Sequence, residues 1–294
     1  MHSPPHDEEA GAAAAPIASG LAGAPVDTVV GAADDAERAE VPADAEGDAE
    51  PAPAPAVRRA NRVASLIEVV LCSGFPTQLV LMLALALAGW QPTRPDGVLS
   101  LPFVVVLSFA DTALLLVLVA LFLRWRQDDP RAIFLGTRSP RREVWLGLGL
   151  LPATFLSVAG LALALSKVAP WLRNVPDNPL AAMVSSRTDL AVLALTVVIA
   201  GGVREELQRA FVLNRFERDL GGAAVGLVVF SVAFGLGHTI QGWDAAVLTG
   251  MLGLLWGATY LWRRSVVAPM VCHALFNLAE LLHFGLTGAA TPGP

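Results

Sequence analysis

From Val63 onward, runs of apolar residues alternate with short charged connectors, and the runs are continuous instead of alternating with period two. The pattern predicts helical spans at about 63–90, 99–123, 143–166, 188–210, 222–240, 245–262 and 265–286. Most reach the roughly 20 residues that a helix needs to cross the hydrocarbon core. A strand-built barrel is excluded, because its segments would alternate lipid-facing and lumen-facing positions. The expected fold is therefore all-α: a polytopic transmembrane helix bundle of about seven spans over residues 57–290, preceded by a tail. That tail, residues 1–56, is Ala, Pro, Gly, Asp and Glu with few large apolar side chains. Such a segment buries too little surface to offset its ordering entropy and is expected to be disordered. It has no basic region followed by an apolar stretch, so it does not read as a secretory signal.

Composition sharpens this picture. Of 294 residues, 54% are apolar and 16% charged, with a mean hydropathy of +0.58, against roughly 25% charged in an ordinary globular domain. The tail holds 12 of the 26 acidic residues and one base, Arg38, while residues 57–294 carry a net charge of +5. The overall −6 thus joins two unlike pieces. No basic stripe is present, which excludes a nucleic-acid binder. Cys72 and Cys272 lie in apolar runs and give neither a disulfide framework nor a metal spacing. A single lysine, Lys167, in an Ala- and Arg-rich chain points to a GC-rich, bacterial genome.

Arginines crowd the stretch before the first span and the connectors after spans 2, 4 and 6, which places these and the N-terminus in the cytoplasm of a bacterial inner membrane. Six of the seven tryptophans, all but Trp256, sit near span ends, as an interfacial belt requires.

The fourth span carries charge. After the apolar run Leu190–Val203 come Arg204, Glu205, Glu206 and Arg209. Either the helix leaves the membrane at Val203 and continues as a solvated amphipathic segment, or it runs on to about Leu213 with the acids facing the bundle interior. Charge at depth is expensive and functional when present. Arg209 stands i+4 from Glu205 and i+3 from Glu206, so it can pair either acid.

Two histidines lie in later apolar spans: His238 ends SVAFGLGH, and His273 sits in PMVCHALFN with Asn277 at i+4. Histidine is rare in hydrocarbon and turns to a cavity or a partner there. Glutamate, arginine, two histidines and an asparagine from three spans can together bind and activate one water: Glu205 as base, the histidines as ligands or hydrogen-bond partners, Asn277 fixing an imidazole or an oxyanion. Glu205 and His273 fall at similar depth, whereas His238 needs a late helix start after Gly221–Gly222 or a break at Gly235 or Gly237.

REELQRAF, FGLGH and HALFN, in that order, resemble the motifs EExxxR, FxxxH and HxxxN of the CAAX protease and bacteriocin-processing (CPBP, or Abi) family of intramembrane proteases. The resemblance covers about residues 190–285. It implies a hydrolytic water activated within the membrane by a glutamate and two histidines. Some members of that family cut prenylated CAAX proteins, and others are linked to bacteriocin immunity or surface-protein processing. Glu206 and Arg209 enclose two residues where the family has three. With Arg209 aligned, Arg204 takes the place of the first Glu and Glu205 of the second; with the acidic pair aligned, Ala210 takes the arginine's place. Glu205 matches an acid in both cases.

The catalytic set expected here is therefore Glu205, Glu206, Arg209, His238, His273 and Asn277, acting on a membrane-associated protein or peptide in the bilayer. Glu205, His238 and His273 also make a donor set that zinc uses, and the same residues activate water without metal; the sequence leaves both open. Two other classes stand beside this one: a non-catalytic scaffold or immunity-type protein that keeps the fold, which the displaced arginine favours, and a proton-coupled transporter built on Asp111 and Glu205, which lacks the internal repeat of such folds. Glu280 shares the face of His273 and Asn277, Glu68 and His283 read as interfacial, and Gly250, Gly253 and Gly257 form a helix-packing seam.

Overall fold

Helix follows helix, with no strand among the described residues: α1 (Pro55–Leu71), α2 (Phe75–Leu87), α3 (Leu101–Arg126), α4 (Pro130–Phe134), α5 (Pro140–Val168), α6 (Arg187–Thr196), α7 (Glu205–Asp219), α8 (Ala223–Leu236), α9 (Trp243–Arg263) and α10 (Val267–Gly288). This computed structural model describes residues 55–176 and 178–288, with side chains from 59 to 283 apart from residue 181. The tail expected to be disordered lies outside the described residues up to residue 54.

Each expected span has a helical counterpart, and the helices differ in length. Three helices, α3, α5 and α9, are long and apolar enough to cross a membrane. Helices α1 and α2, which meet at a 44° bend, are long and apolar enough only when taken together, as a broken span or a re-entrant loop. The apolar stretches of α8 and α10 are shorter. The segment from α6 to α7 loses its apolar character where the charged residues enter. These apolar helices mark an integral membrane protein. The six tryptophans expected at the interface are 42–72% exposed, while Trp256 is buried.

Local chemistry explains the breaks. Gly74, with φ +88°, separates α1 from α2. A side chain there would be strained by the left-handed backbone, and its Cβ would meet Arg204 Nη2 at 3.1 Å. Gln208 Nε2 donates to the Cys72 carbonyl at 2.7 Å, so the bend is filled by polar groups arriving from around α7. Ser186 caps α6 by accepting from the Asp189 N–H at 3.1 Å. Between α6 and α7 the chain winds as a π-helix over Val197–Arg204, a form that concentrates at functional sites. The helix continues past Val203 to Asp219, and Glu206 and Arg209 on it are buried in the bundle and not solvated.

A buried ion cluster holds α7 at its far end. Glu68 accepts from Arg126 Nε at 2.7 Å and from Arg215 Nε at 2.5 Å, Asp128 pairs Arg215 at 2.7 Å and also pairs Arg218, and Ser65 donates to Asp219 at 2.5 Å. Glu68, near the start of its span, is 1% exposed, because two arginines from other helices converge on it. The glycine seam of α9 packs inside the chain, Gly253 against Ser231 and Phe234 of α8, and Gly257 against Leu227 of α8 and Arg209 of α7.

Candidate active site

The π-helix sets the site because two of its residues are glycine. A Cβ on Gly202 would stand 2.5 Å from the Ala274 Cβ, and one on Gly201 would stand 2.6 Å from Asn277 Nδ2. Backbone and α10 therefore touch, which brings His273 and Asn277 beside the first turn of α7.

On that turn the two glutamates have different surroundings. Glu206, 1% exposed, points into protein: its Oε1 pairs with Arg209 and lies 2.8 Å from His273 Nδ1. Arg209, fully buried, has its guanidinium 5.3, 4.9 and 5.8 Å from the rings of Phe230, Phe234 and Trp256. Of the two pairings that helical spacing allowed, the i,i+3 pair with Glu206 is the one formed. Glu205, with a side chain 17% exposed, lies on the other side of the imidazole: its Oε2 is 3.8 Å from His273 Nε2, and its Oε1 is 3.7 Å from Arg204 Nη1.

His273 is thus gripped between two carboxylates. With Nδ1–H donating to Glu206, Nε2 is left as an acceptor on the side of Glu205. Trp256 stacks on the imidazole with centroids 3.8 Å apart and planes 19° apart, and Phe234 meets it edge-on at 6.1 Å. These contacts fix the ring's plane and position.

His238 arrives by the helix break that its depth required. The helix α8 starts after Gly222 and ends at Leu236, and His238 opens a short turn over Thr239–Gln241. Its Nδ1 is 2.8 Å from the Phe234 carbonyl, which makes Nδ1 the donor and leaves Nε2 as the acceptor.

A cavity of about 600 Å³ is lined by Glu205, His238, His273, Asn277 and Glu280, with Asp111 and Arg204 in the same wall. That volume lies within the range of small-ligand sites, about 300–1,000 Å³. Glu206 and Arg209 stand behind the wall. Of the expected set, four residues therefore line one cavity and two support one of the four. The conditional zinc set does not assemble: among the described residues no three His, Cys, Asp or Glu side chains converge closely enough to hold a metal ion. The histidines spend their Nδ1 atoms on Glu206 and on a backbone carbonyl.

Sequence reasoning did not assign Trp256 or Arg204 to the site. Trp256 was legible as the tryptophan that no span end explained. Asp111 joins Arg204 in a buried ion pair, with Thr77 Oγ1 donating to Asp111 at 2.5 Å. Asp111, named from the sequence as a transporter carboxylate, lines the cavity. Arg204 carried no signal beyond its charge.

Residues 187–279 match the model of the family described as Rce1-like, type II CAAX prenyl endopeptidase. The match covers about a third of the chain and includes every residue of the expected catalytic set. It is consistent with the CAAX protease family that the three motifs resemble, which at the level of the family is one of CAAX-type intramembrane proteases. No curated protein and no solved structure matches the chain.

Proposed function

Proceeding from the match of residues 187–279 to the Rce1-like family, we propose that this integral membrane protein is an endopeptidase that cuts a membrane-associated protein or peptide with a water activated by Glu205 and histidine. The observation that carries the reading is the placement of His273: hydrogen-bonded to Glu206 behind, 3.8 Å from Glu205 in front, and on the wall of a cavity. A gap of that length between two acceptors is one that a bound water bridges.

In this mechanism Glu205 takes a proton from the water as its oxygen attacks the scissile carbonyl, and the same proton passes to the leaving amine as the C–N bond breaks. Glu206 holds the tautomer and plane of His273, and Arg209 balances the charge of Glu206. Asn277 donates to the oxyanion that develops on the carbonyl, and His238, with Nε2 as an acceptor, helps to hold the water. The cationic connectors and the N-terminus lie on the cytoplasmic side of a bacterial membrane in this reading, with the substrate entering from the bilayer.

The test compares the membrane-protein and shed-peptide profiles of cells carrying wild type, Glu205→Gln and His238→Ala at matched expression. Specific cleaved peptides should vanish in both variants and would name the substrate. Identical profiles in all three would overturn the catalytic reading in favour of a scaffold that keeps the fold, the class that the shortened Glu206–Arg209 spacing favours.

A further inference from the structure

Three acids and two arginines lie in or just behind the inner wall of the site, and their pairing is unequal. Glu206 is in direct contact with Arg209, and Asp111 with Arg204. Glu205 stands off from Arg204 Nη1 by 3.7 Å, beyond hydrogen-bond length. Arg204 thus has an acid on each side and is drawn to the one on α3, 93 residues away in sequence.

That choice is built into the fold. Asp111 is 3% exposed and is itself held, by the Thr77 hydroxyl at 2.5 Å on Oδ1 and by Gln78 Nε2 at 3.5 Å on Oδ2. Both donors come from the first turn of α2, just past the Gly74 bend, where Arg204 also packs. The Arg204 side chain is 7% exposed and its Nε has no partner. A guanidinium placed this way, in a medium of low dielectric, would close on any free carboxylate within reach. A carboxylate in such a pair gives about two of its four lone pairs to the guanidinium and is a weaker base toward water.

We propose that Asp111 is a positioning residue that restrains Arg204, holding the guanidinium off Glu205 so that the Glu205 carboxylate stays free for the attacking water. The inference rests on the catalytic reading above. It also accounts for an arginine at position 204, where alignment on Arg209 calls for an acid: the cation is tolerated because α3 supplies its counter-charge.

The test uses the full chain purified in detergent micelles, a farnesylated CAAX-type reporter peptide as probe, and two readouts. In the first, Asp111→Asn frees Arg204 to pair with Glu205, and kcat should fall about tenfold to a hundredfold with KM changed by less than about twofold. Adding Arg204→Gln removes the intruding charge and should recover most of that loss. In the second, which needs no turnover, Glu205→Gln should lower Tm more in the Asp111→Asn background than in wild type, since it then breaks a direct ion pair. If Asp111→Asn does not fold, Thr77→Val replaces it: the looser Asp111 should give a smaller fall in kcat and the same enlarged Tm effect of Glu205→Gln. A double variant no more active than Asp111→Asn, with additive Tm changes and an active wild type, overturns the role of Asp111 and leaves the protease reading intact. A wild type inert on the probe counts against the protease reading, and the Tm cycle alone then decides on Asp111, additivity overturning it.

Discussion

A single methyl group tests how tightly the site depends on the contact between the π-helix and α10. In Gly202→Ala the new Cβ would lie 2.5 Å from the Ala274 Cβ, 2.8 Å from its Cα and 3.1 Å from its nitrogen. Carbon atoms in contact rest about 3.5–4.0 Å apart, so α10 or the π-helix must retreat by about 1 Å. Ala274 follows His273 directly and precedes Asn277 by three residues, so the retreat carries both away from Glu205. Overpacking of this kind costs about 1–3 kcal/mol of stability. Misplacement of reacting groups by about 1 Å costs about a hundredfold in rate. The variant should therefore fold, melt a few degrees lower, and lose about two orders of magnitude in kcat on a lipidated reporter peptide. Ala274→Gly in the same chain removes the worst contact but leaves those to the Cα and nitrogen, and should recover part of the rate. Wild-type kcat in Gly202→Ala would refute the reasoning, since it would mean that the two elements part without moving the site.

Two further outcomes follow from the charged groups. Arg209→Met leaves Glu206 as an uncompensated charge at 1% exposure and should cost about 3–5 kcal/mol in denaturant titration, most of it recovered by adding Glu206→Gln; a loss below about 1 kcal/mol would contradict the pairing. At the surface end of α7, hydrogen bonds from Arg264 hold the Glu217 carboxyl below its ordinary range. A lowered folded value means stability that is present above the ordinary glutamate pKa and lost as pH falls through the folded value. The pair is exposed and its contribution small, so Glu217→Gln should melt slightly below wild type near pH 7 and level with it near about pH 3; a gap unchanged in acid would refute the assignment.

The helical segments, their all-α class and the cavity-lining residues Glu205, His238, His273 and Asn277 could be read from the chain alone. Continuous apolar runs specify helices, because in hydrocarbon each backbone polar group must be satisfied within its own segment. Polar side chains inside such runs stand out against the background, and they pick out the site. Even the break before His238 was legible, from the glycines and the count of residues to the connector.

Pairing was not legible, because it depends on which helices lie side by side. Helical spacing let Arg209 reach either glutamate, and burial behind the cavity wall selected Glu206. Glu68 resembled an interfacial residue until Arg126 and Arg215, 58 and 147 residues away, closed on it. The union of Asp111 with Arg204 spans three helices and follows from the bend at Gly74 and the donors of α2. The number of long spans also waited on the structure, since hydropathy marks where a helix is apolar and packing decides where it bends, tightens into a π-turn or stops. Sequence therefore determined which polar residues line the cavity, whereas the tertiary structure decided which charge answers which, because opposite buried charges settle with the nearest partner in space and not along the chain.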